Sequence, residues 1–154
     1  MWTYIASLCL GAVLLTQAAQ AHGTKTKTIE IVHPWTRETA GAIEATVEVY
    51  MTIKNRGRAA DRLLGVETPL AKSVEIMDLP EQGDMRRVDR IAIEAGESTE
   101  LLPSGAKLRL TGVARPLPAY DTFPMTLIFE HAGRIMIEVL VEEGAAPASR
   151  QHTH

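Results

Sequence analysis

Residues 44–55 read EATVEVYMTIKN, and this stretch is the clearest indication of the fold class. Apolar and polar side chains alternate along it, so that one face carries Val47, Val49, Met51 and Ile53 and the other carries Thr46, Glu48, Tyr50 and Thr52. A period of two residues is typical of a β-strand that buries one face. The segment 55–57 (Asn-Arg-Gly) then supplies the kind of turn that ends such a strand.

Short strand-like segments separated by turn residues fill most of the remaining chain. They are 28–32, 62–67, 72–78, 85–93, 98–102, 106–111, 122–130 and 134–142. The last segment again places apolar residues at every second position, namely Ile135, Ile137, Val139 and Val141. Residues 131–133 (His-Ala-Gly) predict a tight hairpin before it. About nine short strands without a long amphipathic helix predict one all-β domain, an antiparallel sandwich or barrel.

The first 21 residues have the features of a secretory signal. They contain no charged side chain, Ile5–Leu15 is apolar, and Ala19-Gln20-Ala21 is a small-x-small cleavage signature. We therefore predict a cleaved signal peptide over 1–21, a periplasmic domain over 22–142 and a flexible His-containing tail over 143–154. An uncleaved membrane anchor is the alternative. The apolar run is short for a hydrocarbon core of about 30 Å, so stable membrane insertion is not expected.

Cys9 is the single cysteine of the chain, and it lies within the predicted signal. Leu8 precedes it, where a small residue normally precedes a lipidated cysteine, so a lipoprotein signal is not favoured. Cleavage after Ala21 leaves a chain that starts at His22 and has neither a disulfide nor a thiolate. Any soft-metal chemistry must therefore use Met and His.

Charge and motifs exclude several classes of function. The formal net charge is −3 and no basic patch is apparent, which argues against a nucleic-acid partner. The chain has no Gly-x-Ser-x-Gly elbow, no His-Glu-x-x-His motif and no phosphate loop, and its one cysteine lies in the predicted signal. We therefore expect a binding protein rather than an enzyme.

Three stretches together carry a family resemblance. They are residues 33–37 (HPWTR), residues 50–71 with the segments YMTIKNRG, DRLLGV and PLA, and residues 129–133 (FEHAG). In this order and spacing they resemble the PCu(A)C family of periplasmic copper chaperones, over essentially residues 28–142. The resemblance implies a cupredoxin-like antiparallel β-sandwich that carries copper, as Cu(I) rather than Cu(II). It also implies delivery to a copper-accepting periplasmic protein, such as a subunit or assembly factor of cytochrome c oxidase.

The family's copper ligands are a His, a Met further along, and a His-x-Met pair after a gap of twenty-one residues. On this chain the corresponding positions are Met77, Met85, Lys107 and Arg109. Met85 keeps the family residue and Met77 replaces the first His, whereas two cations replace the final pair. The segment between the first two positions is also shorter than in the family.

Met77 and Met85 are the predicted copper ligands within the domain. Cu(I) is soft, and a thioether binds it without first losing a proton. The alternative is that both side chains fill gaps in the core, as Met often does.

Lys107 and Arg109 stand two residues apart, so they share one strand face. Neither coordinates copper while protonated, and their positive charge opposes the binding of Cu⁺. We expect them to pair with acidic residues on the facing loop, namely Asp78, Glu81 or Asp84. A site for an anionic group or a partner is the alternative.

Histidines near the two ends of the chain are further candidate ligands. His22 would become the amino terminus, where imidazole and α-amine could chelate copper together, and His152 and His154 form a His-x-His tail. The alternative is that these residues are solvated ends. The predicted function is therefore a periplasmic Cu(I) chaperone for oxidase assembly. The alternative is a paralogue that has lost the site and acts as a protein-interaction module in the cell envelope.

Overall fold

The computed structural model of the protein describes residues 23–39, 41 and 46–144, and this part of the chain is all β, as predicted. Its eleven strands are β1 (Gly23–Lys25), β2 (Ile29–Arg37), β3 (Val47–Asn55), β4 (Asp61–Glu67), β5 (Ala71–Asp78), β6 (Arg86–Val88), β7 (Ile91–Ile93), β8 (Ser98–Leu101), β9 (Lys107–Val113), β10 (Thr122–Phe129) and β11 (Gly133–Glu142). No helix in the described part is long and apolar enough to cross a membrane. The predicted signal over 1–21 and residues 145–154 of the predicted tail lie outside the described residues.

The strands form one strongly curved sheet in the order β6-β5-β9-β3-β2-β11-β10-β4-β7, with β1 added to β2 and β8 added to β3. The two edge strands, β6 and β7, are joined by only Asp89 and Arg90. Two extended residues span less than about 10 Å, so the edges must lie close together and the sheet nearly closes into a sandwich. The pairs are antiparallel as predicted, except that the end of β11 runs parallel to the end of β2.

The core lies between the inner faces of this curved sheet. Both faces predicted from alternation are buried, Val47, Val49, Met51 and Ile53 on β3 and Ile135, Ile137, Val139 and Val141 on β11. Leu108 and Leu110 of β9 pack in the same cluster. Because side chains alternate along β9, Lys107 and Arg109 lie on its other face.

Two strands differ from the predicted segments. The first continues to Arg37 instead of ending at Val32, and its register with β3 shifts between Val32 and Trp35. Pro34 has no N–H to donate and His33 has a positive φ of 49°, so the chain bulges here and resumes pairing at Trp35. The predicted 85–93 strand is divided into β6 and β7, which pair with β5 and β4 respectively.

The predicted hairpin between β10 and β11 is confirmed, and a buried carboxylate holds its turn. Asp61 accepts hydrogen bonds from the backbone N–H groups of His131 and Ala132, both at 2.9 Å, and from that of Arg62 at 2.7 Å. Burial alone raises the pKa of the Asp61 carboxyl, but these hydrogen bonds outweigh it and leave the pKa below its usual value. Gly133 takes the positive φ of 75° that starts β11.

Candidate metal site

Strands β5 and β9 place three of the four family positions, Met77, Lys107 and Arg109, on one outer sheet face, and the neighbouring strand β3 adds Glu48 to that face. Met77 on β5 lies directly opposite Lys107 on β9. Arg109, two residues further along β9, lies opposite Glu75 on one side and Glu48 on the other. The register therefore brings the first and the last two family positions together, as the resemblance implies.

Lys107 is buried, with 6% of its surface exposed. Its ammonium donates to the carbonyl oxygen of Pro103 at 2.6 Å and to Oε2 of Glu48 at 3.3 Å. It also lies 6.0 Å from the centre of the Tyr50 ring, within range of a cation–π contact. These three groups satisfy the charge and the hydrogen-bonding capacity that burial would otherwise leave unmet.

Glu48 is the anion of this cluster. Its Oε2 accepts a hydrogen bond from the Tyr50 hydroxyl at 2.9 Å, and its Oε1 lies 3.4 Å from Arg109. Burial alone raises the pKa of the Glu48 carboxyl. The hydrogen bond from Tyr50, the charge and hydrogen bond of Lys107 and the hydrogen bond from Arg109 outweigh this effect, so the pKa lies below its usual value. Burial, together with the hydrogen bond to Glu48 and the charge of that carboxylate, raises the pKa of Tyr50 to about 12.

The prediction of which acidic residues pair with the two cations was wrong. We predicted that Asp78, Glu81 or Asp84 on the facing loop would pair with Lys107 and Arg109. Both cations instead contact Glu48, which stands on the neighbouring strand β3. The reason is the register, because Glu48 lies directly opposite Arg109 on the same sheet face. The pairing is thus internal, as expected, but is made across strands rather than to the loop.

Trp35 extends the cluster onto β2. Its ring lies 4.7 Å from that of Tyr50, which is opposite it in the register, and the guanidinium of Arg37 lies 5.4 Å from the Trp35 ring. Tyr50 is consequently buried even though it points away from the core. We call Lys107, Glu48, Tyr50 and Arg109 the Lys107 cluster.

The two candidate thioethers have different surroundings. Met77 is 5% exposed and stands between Lys107 on β9 and Arg87 on β6, which are its direct neighbours in the sheet. Met85 is partly buried and lies immediately before β6, at the end of the turn that leaves β5. Because Asp78 pairs with Arg86, the turn returns Met85 to the end of the sheet where Met77 stands.

The described residues do not reproduce the family ligand set. At the four family positions this chain has two thioethers, Met77 and Met85, and two cations that pair with a carboxylate. Within the part of the chain that the structure covers, no group of three or more His, Cys, Asp and Glu side chains is arranged to hold a metal ion. His33 instead contacts Glu142 at 2.8 Å. The candidates His22, His152 and His154 lie outside the described residues.

Sequence reasoning missed Glu48 and Tyr50 as members of the site. The alternation of apolar and polar residues correctly predicted that both side chains lie on the outer face of β3. It did not predict which strand would pair with β3 and face them. The one available signal was charge: an acidic residue on the outer face of a long strand needs a cation nearby if that face is covered.

Comparison with known proteins agrees with this architecture. The family model described as "Putative lipoprotein LpqE-like" matches residues 29–141. A curated relative, "Putative lipoprotein Lxx21020" of Leifsonia xyli subsp. xyli, is 23% identical over 149 residues, which cover 92% of this chain and 88% of that protein.

Solved structures of PCuAC domains and of DR1885 also match. The copper-bound PCuAC domain from PmoF2 is 28% identical, with a TM-score of 0.70 over 80% of this chain and 99% of that domain. The Cu(I) form of DR1885 from Deinococcus radiodurans is 25% identical, with a TM-score of 0.62 over 84% of this chain and 87% of that protein. The apo PCuAC domain from PmoF1, at 23% identity and a TM-score of 0.70, shares the fold. The chain therefore belongs to the LpqE-like family and has the cupredoxin-like fold of PCuAC domains.

Proposed function

We propose that this protein carries copper in the cell envelope and passes it to a copper-accepting partner by exchange of ligands, without catalysing a reaction. The observation that carries the proposal is the match to a copper-bound PCuAC domain, which extends over 99% of that domain. The lipoprotein names of the matched family and of the curated relative support a location in the envelope. The signal-like segment over 1–21 supports export to the periplasm.

The proposed ligands are the thioethers of Met85 and Met77, assisted by imidazoles of His22, His152 and His154. Thioether and imidazole are ligands that Cu(I) accepts, and the absence of cysteine after Cys9 leaves no stronger soft ligand. Met85 is the better placed of the two thioethers, because it is partly exposed at a turn. Met77 would have to bind Cu⁺ between two cations, which Coulomb repulsion disfavours.

The proposed recipient is a periplasmic copper protein, such as a subunit or assembly factor of a respiratory oxidase. Transfer between proteins requires a labile site near the surface. The exposed apolar side chains of Leu79 and Leu102 support contact with a partner at this end of the sandwich. Leu79 begins the turn that leads to Met85, and Leu102 precedes Pro103, which contacts Lys107.

A second candidate is favoured by one specific observation, the capture of Lys107 and Arg109 by Glu48. A chain that has replaced two copper ligands with a paired cation cluster could have kept the fold for binding other proteins. In that case the protein would be an interaction module of the envelope that carries no metal.

Anaerobic Cu(I) titration against a chromophoric Cu(I) chelator separates the two candidates. The chain from His22 to His154 should bind one Cu(I) ion in competition with the chelator. A chain that ends at Gly144 keeps the hydrogen bond from Gly144 to Glu38 and lacks only the tail, so it measures the contribution of His152 and His154. If the longer chain leaves all copper with a weak chelator, the copper proposal fails and the second candidate stands.

A further inference from the structure

Lys107 is unusual among the lysines that the structure describes, because it alone is buried. A lysine on an outer sheet face normally extends its ammonium into water. Here the side chain is instead directed to a carbonyl oxygen and a carboxylate at 2.6 Å and 3.3 Å. The surroundings of the ammonium are therefore built to hold a cation.

The groups around this ammonium are all ones that attract a cation. They are one carboxylate from Glu48, one backbone carbonyl from Pro103 and the face of the Tyr50 ring. Each is electron-rich, and together they come from β3 and from the segment that leads into β9. The ammonium thus connects two parts of the chain. Glu48 is 59 residues from Lys107 in the sequence, and Pro103 is four residues from it.

The position of this cation in the sheet is also informative. Lys107 stands opposite Met77, and both occupy positions where the resemblance places copper ligands. A carboxylate and a carbonyl oxygen therefore hold a fixed positive charge on the strand position opposite Met77. We infer that the Lys107 ammonium takes the place of the metal ion, so that β3, β9 and the loop at Pro103 are held together here without copper.

This inference restricts the proposed function without depending on it. With a permanent cation at this point, copper carried by the chain must bind at the periphery, through Met85 and imidazoles near the chain ends. The family position itself would neither accept nor release metal. If the chain carries no copper at all, the ammonium would still hold this end of the sandwich together.

The first test is made without metal, by chemical denaturation in the presence of a strong copper chelator. Lys107→Met keeps much of the side-chain volume and removes the charge, and Glu48→Gln removes the opposite charge. Each single variant should lower the folding equilibrium constant at least tenfold. Glu48→Gln leaves the buried Lys107 ammonium without its carboxylate, and Lys107→Met leaves Glu48 with Arg109 as its one remaining cation and the Pro103 carbonyl without its donor. Lys54→Met, on a partly exposed position of β3, is the matched control and should have little effect.

The double variant Lys107→Met with Glu48→Gln guards against a single variant that fails to fold. It removes both charges of the pair, so its loss of folding stability should be smaller than the sum of the losses in the two single variants. Strict additivity would show that the two groups are not coupled and would overturn the inference.

The second test asks whether the ammonium substitutes for a metal or is an ordinary ion pair. Lys107→Met places a thioether opposite Met77 and removes the local positive charge. Adding Cu(I) should then raise the denaturation midpoint of Lys107→Met more than that of the natural chain, because a ligand that binds the folded state stabilises it. A destabilised Lys107→Met that Cu(I) does not restore would overturn the substitution. Absence of copper binding by the natural chain would count against the proposed function only.

Discussion

The carboxylate of Glu48 lies 3.3 Å from the ammonium of Lys107, and this contact links β3 to β9 where their direct pairing ends. The two strands pair from Val47 to Val49 and from Leu108 to Leu110, so Lys107 is the next residue beyond the paired segment. At this point a domain with the fold of PCuAC domains holds a salt bridge, on two positions where the family resemblance implies metal ligands. The effect of this salt bridge can be measured both in the free energy of unfolding and in the affinity for Cu(I).

Tyr50 supports the cluster through its hydroxyl, which donates to Glu48 at 2.9 Å. Tyr50→Phe keeps the ring that faces Lys107 and Trp35 but removes this hydrogen bond. We expect a loss of about 1–2 kcal/mol in the free energy of unfolding, since the carboxylate keeps only its two cationic partners. Urea denaturation checks it, with Tyr120→Phe as the control because Tyr120 is 72% exposed. Equal losses of unfolding free energy in the two variants would mean that the Tyr50 hydroxyl does not stabilise the cluster.

The inner face of β3 is tested by Val49→Asp. Val49 is fully buried, so the substitution places an unpaired charge in the core and should cost several kcal/mol, about 3 or more. Met136→Asp introduces the same carboxylate at a strand position that is 68% exposed and should be nearly neutral. Circular dichroism during thermal unfolding measures both. A Val49→Asp protein as stable as the Met136→Asp protein would mean that the face is assigned wrongly.

Asp61 should make stability depend on pH. Its carboxyl has a pKa below the ordinary 3.8, because three backbone N–H groups favour the charged form over the effect of burial. The stabilisation is therefore complete above pH 3.8 and is lost as the pH falls through the lower pKa of the folded state. Asp61→Asn should lose about 1–3 kcal/mol at pH 7, and the difference from the natural chain should shrink in strong acid.

Denaturant titrations at pH 7 and at pH values below 3.8 measure this difference. Asp89→Asn serves as the control, because Asp89 is exposed in the link between β6 and β7. A constant difference between Asp61→Asn and the natural chain at every pH would contradict the assigned role of the carboxylate.

The two thioethers are tested together. Replacing Met77 and Met85 with Leu keeps the apolar volume and removes both sulfur ligands. If they bind copper, Cu(I) affinity should fall at least about tenfold, or roughly 1.4 kcal/mol. Met136→Leu removes a thioether from an exposed position on β11 and should leave affinity unchanged. An affinity that survives loss of Met77 and Met85 would mean that both only pack and that copper binds elsewhere.

The strands and the core were predictable because they depend on local alternation. The alternate residues Val47, Val49, Met51 and Ile53 on β3, and Ile135, Ile137, Val139 and Val141 on β11, are buried as the period of two indicates. The continuation of β2 beyond Pro34 was not predicted, since it depends on a bulge that restores pairing at Trp35. The division of residues 85–93 was also missed, because each half pairs with a different strand.

The candidate site was predictable only in part, for the same reason. The two-residue spacing predicted one shared strand face for Lys107 and Arg109, and both pair with β5 in the observed register, with Met77 opposite Lys107. Their partner Glu48 is 59 residues from Lys107, so only the order of strands could identify it. Local patterns indicate which face a side chain occupies, whereas the partner across the sheet depends on topology.

The Cu(I) affinity of the variant Lys107→His with Arg109→Met is the decisive measurement for the role of the Lys107 cluster. The change removes two positive charges and places an imidazole and a thioether on the face that Met77 shares. Both effects favour Cu(I), so an anaerobic competition titration should show affinity well above that of the natural chain. Equal affinity in the two proteins would contradict the claim that the Lys107 cluster occupies the copper position.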